Sequence, residues 1–497
     1  MDVLSDRIGL VVSVTILYAV SRAVYNVAFH PLRKFPGPRL RAATRLPYTI
    51  SKLRGDPTQR VKLLHDKYGH VVRIAPDVLS FTNSQAWTDI YGPKQSAMRG
   101  NIPKDPMFYR QQPNSAANIP AANDADHRRL RRVVAPGFSE RAVVLQEDYL
   151  KQYTSLFITR LHEMSSSSDD GTVDIVRWLT VLTTDIIGDL AFGESFGGLD
   201  NGVLHPWFEN VFWMIKYTVV SAEMLNLPSW VFQAAIRLLP RKMREKVEEA
   251  DAFAEDKLRR RVAMGTDRPD LMSYALKGKD QGAISDGEIT QAALTFIMAG
   301  SETTATMLSG CLYLLGQNPS ILRGIADLIR SDFSSPADLT LLRLQSHEYL
   351  NAVLQESLRL YPPAPDAFFR RTTKDGAIVA GEVIPPNTRV TVNLWAANRS
   401  VRNFHRPDEF IPERWLKDCP VEFLSDDRAV SKPFSTGPRD CLGKTLAWAE
   451  MRLILASILW HFDIKLLPES RYWISQQKIF LWEKPELRIK LVPRKWE

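Results

Sequence analysis

The sequence of 497 residues predicts a mainly α-helical fold with small β-sheets, preceded by an N-terminal membrane anchor. Three observations support this prediction. An apolar run occupies residues 8–29, a helical pattern of about thirty residues starts at Ser285, and short alternating strands lie between segments with helical periodicity. Hydrophobic residues make up 45% of the chain, which is enough for one large core or several smaller ones.

Charge and cysteine content limit the classes of partner and compartment. The formal net charge of +8 favours an acidic protein surface or anionic lipid as a partner. The basic residues are dispersed and form no nucleic-acid-binding motif, so we expect no nucleic acid partner. The three cysteines, Cys311, Cys419 and Cys441, are too scattered for a disulfide framework and fit a reducing compartment.

Residues 1–29 form the predicted transmembrane anchor. The run Ile8–Ser21 is uncharged and resumes after Arg22, which gives about twenty apolar residues when that arginine reaches the interface. A cleaved signal peptide is the alternative, but an unpaired, functional cysteine fits a secreted protein poorly. More basic residues follow the anchor than precede it, which places the body of the protein in the cytoplasm. Residues 30–45 form a stiff, proline-rich hinge before a single domain over residues 46–497.

The first elements after the hinge are a β-hairpin, a long loop and a basic helix. Val71–Ile74 and Val78–Phe81 are predicted to form the hairpin strands. Residues 98–125 lack periodicity, and a loop of that length is usually functional. In the basic helix, His127 and Arg131 lie one turn apart and suit a shared anionic group, whereas the neighbouring arginines are also compatible with a solvated face.

Two helices and an aromatic segment follow. Val173–Leu190 is predicted to be an apolar helix and Arg241–Arg261 a charged one. Residues 205–237 are dense in tryptophan, phenylalanine and methionine, which is typical of a core. Their poor periodicity also allows a mobile lid that contacts membrane or ligand.

A long helix is predicted to cross the centre of the domain. Ser285 and Glu288 form a capping box, and the helical pattern continues to a stop signal at Gly316, roughly 45 Å away at the rise of an α-helix. Ala299–Thr304 interrupts it with glycine, an acid and two threonines, so we expect a local distortion there. An exposed polar patch is the alternative, but the apolar residues on both sides favour burial.

Helix and strand signals alternate through the last third of the chain. Ser346–Leu360 is predicted to be a helix in which Glu356 and Arg359 can pair, an arrangement that on its own is usually a surface ion pair. Strands are expected over Ala377–Ile384 with a turn at Gly381, and over Val390, Val392 and Leu394. Ile479–Trp482 and Leu487–Leu491 are predicted to form a hairpin around Lys484 and Pro485.

The stretch Phe434–Gly443 carries the strongest chemical signal. It places Cys441 between two glycines, and Gly437 allows a sharp turn. A helix begins directly afterwards, so its N-terminus lies near the sulfur and favours the thiolate. Such a thiolate is either a metal ligand or a nucleophile, and the residues of the stretch leave both open.

Four motifs together resemble the cytochrome P-450 family. The stretch matches the family's cysteine signature at Phe434, Gly437, Arg439, Cys441 and Gly443. Glu356–Arg359 matches its E-x-x-R motif, and Arg414 in a P-E-R-W segment matches the third member of that triad. Ala299–Thr304 matches its oxygen-activating helix. The resemblance implies the cytochrome P-450 fold, with the long central helix lying over a haem.

The resemblance also assigns roles to individual residues. It implies haem b with Cys441 as the axial thiolate, which favours O–O bond cleavage. The proton-handling pair would be Thr303 and Glu302, and the triad would be a buried structural network. Cofactor-binding residues would be His127, Arg131, Arg370, Phe434, Gly437, Arg439, Gly443, Ala299 and Gly300. Arg371 competes with Arg370, and many relatives have tryptophan at the position of His127.

Activity and partners also follow from the resemblance. It implies a monooxygenase of the endoplasmic reticulum membrane that takes electrons from NADPH through NADPH–cytochrome P-450 reductase. Its substrate would be a hydrophobic terpenoid, polyketide or alkaloid. The segments His30–Pro38, Ala125–Arg132 and Pro412–Trp415 are similar to those of filamentous-fungal secondary-metabolism members such as the trichothecene C-15 hydroxylase group. The alternatives are a haem-thiolate isomerase or dehydratase, which uses no dioxygen, and a non-catalytic membrane-anchored haem binder.

Overall fold

The computed structural model describes residues 2–93, 101–109, 116–167, 171–208, 241–366, 368–478 and 481–494. These residues form two compact units. The first unit contains Met1–Asp105, Pro365–Pro407 and Asp426–Arg439. The second contains Pro106–Ala364, Asp408–Ser425 and Asp440–Glu497. Helices dominate and the sheets are small, so the predicted mainly α-helical fold is confirmed.

The first unit combines short helices with two small sheets. A four-stranded sheet has Val71–Ala75 at one edge, followed by Val78–Phe81, Arg389–Val392 and Arg370–Arg371. The predicted hairpin is therefore confirmed, with an antiparallel register that pairs Val71 with Phe81. Ala377–Val379 and Glu382–Ile384 form a separate antiparallel pair around the expected turn. The helices are Asp2–Ala28, Arg39–Ala43, Leu46–Leu53, Pro57–Tyr68, Ser84–Tyr91 and Leu394–Asn398.

The N-terminal helix is long and apolar enough to cross a membrane. Its window Gly9–Ala28 has a mean hydropathy of 1.6 and is 6% buried within the protein. The proline-rich segment after it packs onto the first unit, because Leu32 is fully buried. The Asn26 side chain donates to the Ala43 carbonyl at 2.9 Å, and Arg73 Nη1 donates to the Asn26 carbonyl at 2.9 Å. The end of the apolar helix is therefore fixed to the folded body.

The second unit is built around Asp286–Gln317, which we call the central helix. Its capping box is formed, since Ser285 Oγ accepts from the Glu288 N–H and Glu288 accepts from the Ser285 N–H. It packs against Ile175–Phe192, where Thr183 Oγ1 donates to the Ser301 carbonyl at 2.7 Å. The helix continues through Ala299–Thr304, so the distortion expected there does not interrupt it.

Other helices and one sheet surround the central helix. A three-stranded sheet has Arg488–Pro493 between Thr172–Asp174 and Phe462–Leu466. The remaining helices are Asp124–Val134, Glu140–Leu145, Glu147–Ser167, Ile175–Phe192, Gly198–Asn201, Arg241–Ala263, Leu271–Asp280, Pro319–Asp332, Leu341–Ser346, Glu348–Leu360 and Lys444–His461.

Three predicted elements differ from the structure. Val173 lies in a strand, and the apolar helix starts at Ile175, because Asp174 caps its first turn. Leu394 begins a helix capped by the Asn393 side chain, so the strand ends at Val392. The C-terminal strand Arg488–Pro493 pairs with Phe462–Leu466 and with Thr172–Asp174, whereas Trp482 forms an isolated bridge with Lys478.

Some predictions fall on residues outside the described part of the chain. These residues include most of the aromatic segment 205–237, parts of the loop 98–125, and positions 367, 479 and 480.

Candidate active site

Gly437 makes the turn in the cysteine stretch. Its φ of +81° lies in the left-handed region that favours glycine. A Cβ atom at this position would collide with the carbonyl oxygen of Tyr91, which belongs to the same unit. The Trp87 indole lies one turn earlier on the same helix as Tyr91. It donates to the Val430 carbonyl at 2.8 Å and so fixes the chain just before the cysteine stretch. Glycine is therefore required at position 437 by the positive φ and by the lack of space for a side chain.

Cys441 is the accessible cysteine near the start of a helix. It is exposed, whereas Cys311 is buried in the central helix and Cys419 is half-buried. Burial raises the pKa of the Cys311 thiol to about 12, so that thiol is inert at neutral pH. At Cys441, crowding by protein atoms raises the thiol pKa, and this outweighs the lowering by the Gly443 N–H and by the charges of Arg131 and Lys444. The Gly443 N–H thus favours the thiolate, as expected at the start of a helix, but it does not set the direction of the pKa by itself.

The basic helix Asp124–Val134 contacts the residue before the cysteine. Arg131 Nη1 donates to the Asp440 carbonyl at 2.8 Å, and Nη2 pairs with the Asp440 carboxylate. His127 is buried one turn earlier on the same helix. Arg129 binds other carboxylates, since it pairs with Glu288 at 2.6 Å and with Asp126 at 3.0 Å. Two exposed arginines of this helix, Arg128 and Arg132, face solvent.

The two candidate arginines of the first unit have different environments. Arg371 Nε donates to Asp105 Oδ1 at 2.8 Å, and Arg389 pairs with the other oxygen of Asp105 at 2.6 Å. Arg370 is 5% exposed, and its guanidinium lies 5.5 Å from the Tyr91 ring centroid. Because Arg371 is held by a buried carboxylate, Arg370 is the better candidate for a cofactor anion.

The middle of the central helix exposes one face. Ala299 is exposed, although Ile297 and Ser301 beside it are buried. The Thr303 hydroxyl donates to the Ala299 carbonyl at 2.6 Å, one turn earlier on the same face. Gly300 faces another way, because a Cβ there would lie 2.8 Å from Ile187 of the neighbouring helix. Gly300 therefore allows two helices to pack closely, and the exposed face belongs to Ala299 and Thr303.

Glu302 is buried beside Thr303 and forms an ion pair that the sequence did not reveal. Its carboxylate pairs with Lys484 Nζ, whose side chain is 5% exposed. The two residues are 182 positions apart, and sequence reasoning places Lys484 only in a turn. No local pattern connects positions so far apart.

Glu356, Arg359 and Arg414 lie together in the second unit. All three are fully buried. Glu356 Oε1 accepts from Arg359 at 2.7 Å and from Arg414 at 3.1 Å, and Oε2 accepts from the Trp415 indole at 2.8 Å. The surface-pair alternative for this motif is therefore wrong. A network with this many partners satisfies a charge that would otherwise be costly to bury.

Glu450 is a buried acid that sequence reasoning missed. It lies on Lys444–His461, the helix that follows the cysteine, and burial raises its pKa to about 8. Its side chain hydrogen-bonds Thr304, which ties this helix to the central helix. The sequence signal for this buried acid is that Glu450 is the one acidic residue inside the apolar run Leu446–Trp460.

The family model for cytochrome P450 matches residues 41–491. The chain belongs to the cytochrome P450 family. Its curated relatives are similar over nearly their whole length. It is 41% identical to the trichothecene C-15 hydroxylase of Fusarium sporotrichioides over 481 residues, which cover 96% of each chain.

Two further fungal relatives of this P450 carry names that state a reaction. The averantin hydroxylase of Dothistroma septosporum is 41% identical over 97% of this chain and 90% of its own. The fusicoccadiene 8-ol C-16-hydroxylase of Phomopsis amygdali is 39% identical over 97% and 92%. The protein is therefore an oxidoreductase of the monooxygenase class.

The residues of this P450 fit a haem-thiolate centre. An exposed thiol whose pKa is raised by surrounding protein needs a cation to become a thiolate, and a metal ion supplies that charge. A Cβ at Gly443 would meet only the Phe138 ring, at 3.9 Å, among the described residues, so that side of the loop is open. The exposed Ala299 shows that the central helix also leaves a face uncovered. The residues of the second unit thus offer a ligand and an accessible helix face.

We expect Gly437→Ala to destabilise the protein more than Gly381→Ala does. Both glycines have φ near +80°, but a Cβ added at Gly381 would meet no described atom within 4 Å. Gly381→Ala should cost roughly 1–2 kcal/mol from strain, and Gly437→Ala roughly 2–5 kcal/mol from strain and overpacking together. Chemical denaturation and haem content measure the difference. Equal losses in the two variants would contradict the assigned collision.

We expect Glu450→Gln to remove a pH dependence of stability. With a folded-state pKa of about 8, Glu450 keeps its proton where the unfolded chain has lost it. The stabilising contribution of this raised pKa is present below the ordinary glutamate pKa and is lost as pH rises through the folded value. The unfolding free energy of the wild type relative to Glu450→Gln should therefore fall by roughly 1.4 kcal/mol per pH unit between about pH 5 and pH 8.

Thermal denaturation across this pH range measures that difference. Glu140→Gln, at an exposed position of the same unit, is the control for removing a surface carboxylate. Parallel melting curves for the wild type and Glu450→Gln would show that Glu450 is ionised in the folded protein.

Proposed function

We propose that this P450 inserts one oxygen atom from dioxygen into a hydrophobic small molecule, by hydroxylation or epoxidation, in a secondary-metabolite pathway. The observation that carries the proposal is the exposed face of the central helix at Ala299 and Thr303, with the acid Glu302 buried beside it. An alcohol and an acid on consecutive helix positions suit the delivery of protons to a reacting oxygen. The named relatives, which are hydroxylases, support the reaction type.

The chain's own residues divide the remaining tasks. Bound haem would supply dioxygen activation, and Cys441 would hold its iron as a thiolate. Each of Arg370, Arg439, His127 and Arg131 would be a candidate to bind a haem propionate, and Arg131 also holds the cysteine loop through Asp440. The Thr303 hydroxyl holds a water molecule for proton transfer once it leaves the Ala299 carbonyl. Glu356, Arg359 and Arg414 maintain the fold.

Location and electron supply follow from the N-terminal helix and the basic helix. The apolar helix Asp2–Ala28 anchors the protein in the endoplasmic reticulum membrane, with the catalytic domain in the cytoplasm. The exposed Arg128 and Arg132 suit an acidic surface on NADPH–cytochrome P450 reductase, which delivers electrons from NADPH.

The substrate is a terpenoid, polyketide or alkaloid skeleton with few charges. Asp366, which accepts a hydrogen bond from Asn393 at 3.4 Å, is the acidic candidate for contact with a substrate hydroxyl or amine. The loop residues Asn101–Tyr109 and Asn118–Ala122 and the exposed face of the central helix are the described candidates for the other contacts.

Isotope incorporation tests this proposal. Microsomes that contain the protein and a reductase are given NADPH, ¹⁸O₂ and an extract of the producing organism, and products are followed by mass spectrometry. We expect a product that carries one ¹⁸O atom and requires NADPH. A product formed without NADPH and without label would instead indicate an isomerase or dehydratase.

A further inference from the structure

The C-terminal segment 481–494 brings a lysine to the central helix. Lys484 Nζ pairs with Glu302 Oε1 and donates to Thr306 Oγ1 at 2.6 Å. The Lys484 side chain is 5% exposed and that of Glu302 is 11% exposed, so water screens this pair little. Thr306 lies one turn after Glu302 and also donates to Glu302 Oε1 at 3.4 Å. Lys484 thus completes a buried cluster of one acid, one alcohol and one ammonium group.

An aromatic cluster fixes the position of Lys484. Two residues earlier, Trp482 stacks on Tyr361 with ring centroids 5.2 Å apart and an interplanar angle of 17°. The Trp482 indole donates to the Pro362 carbonyl at 2.9 Å, and the Tyr361 hydroxyl donates to Gln476 Oε1 at 2.7 Å. Tyr361 in turn packs so tightly on the central helix that a Cβ at Gly310 would collide with its ring. The segment that carries Lys484 is therefore held against the same helix as Glu302.

Burial of Glu302 makes its pairing with Lys484 important for the position of the carboxylate. A carboxylate removed from water is costly unless an opposite charge and hydrogen bonds replace the lost hydration. Lys484 pairs with Glu302, and the nearby Tyr361 is a phenol whose pKa is raised by burial and by the Glu302 charge. Without Lys484, the buried carboxylate would lose its opposite charge and would turn toward solvent.

The direction of the Glu302 side chain has a consequence for its neighbour. Successive helix positions point about 100° apart, so Glu302 faces Lys484 while Thr303 faces the exposed Ala299 side. An acid fixed in this orientation can exchange protons through water with Thr303, whereas a rotated or protonated one cannot keep the same geometry.

We propose that Lys484 is a positioning residue for proton delivery, which holds the Glu302 side chain in its orientation beside Thr303. This inference rests on the proposed function, because it assigns the pairing partner of the acid in that reaction. Trp482 supports this role, since its contacts with Tyr361 and Pro362 fix the chain two residues before Lys484.

The test uses full-length protein in microsomes with reductase, NADPH and a substrate that the wild type converts. Lys484→Met should lower the product formed per NADPH consumed by on the order of tenfold, while NADPH consumption continues. Lys484→Arg, which keeps the charge, should restore most of this yield. Adding Lys484→Met to Glu302→Gln should cause no further loss, because Lys484 acts through Glu302. Lys490→Met, on the next strand, is the control for removing a half-buried lysine.

Thermal denaturation gives a second readout that does not depend on turnover. Glu302→Gln/Lys484→Met should melt at a higher temperature than Lys484→Met, because the second substitution removes the unpaired buried charge. If Lys484→Met does not fold, recovery of folded protein in the double variant supports the ion pair, and failure to recover overturns it.

Two results would overturn the proposal. One is a Lys484→Met protein with the wild-type yield per NADPH, and the other is a double variant with a much lower yield than Glu302→Gln alone. A wild-type protein that forms no ¹⁸O-labelled product would instead contradict the proposed function itself, so the two failures are distinguishable.

Discussion

The shape of the cysteine loop depends on the close approach of two backbone segments in the first unit. At Gly437 the chain turns with a positive φ directly against the Tyr91 carbonyl, which leaves no room for a side chain. Four residues later the chain reaches Cys441 in the second unit, where Arg131 binds the carbonyl and carboxylate of Asp440. Two contacts therefore shape the cysteine loop. Before Cys441, Gly437 packs against the Tyr91 carbonyl, and next to it, Arg131 pairs with Asp440.

Three buried glutamates of the second unit have three different sets of partners. Glu356 is surrounded by two arginines and an indole, so its charge is fully compensated. Glu302 has a single lysine and an alcohol. Glu450 has the Thr304 hydroxyl as its hydrogen-bond partner and stays protonated, with a pKa of about 8. This gradation fits the proposed roles, because a structural network benefits from full compensation, whereas the acid proposed to exchange protons needs a partner that fixes its orientation.

Local signals in the sequence predicted much of the fold and several site residues. The capping box at Ser285, the hairpin at Val71–Phe81 and the turn at Gly381 depend on neighbouring residues, and the structure contains all three. The strand prediction at Leu394 failed because the Asn393 side chain caps a helix there, which overrides the alternation. Contacts between distant positions, such as Lys484 with Glu302 and Arg131 with Asp440, leave no periodic trace. The direction of the Cys441 pKa does not follow from the helix terminus alone, because crowding by protein atoms depends on the whole fold.

The proposed monooxygenase activity depends most directly on Cys441 as the ligand of haem iron. The carbon monoxide spectrum of the reduced, full-length protein tests this, with Cys441→Ser as the variant. We predict a Soret band at about 450 nm for the wild type, as thiolate ligation of haem requires, and its loss in Cys441→Ser. A band at about 420 nm in intact wild-type protein, or an unchanged band in the variant, would contradict haem ligation by Cys441.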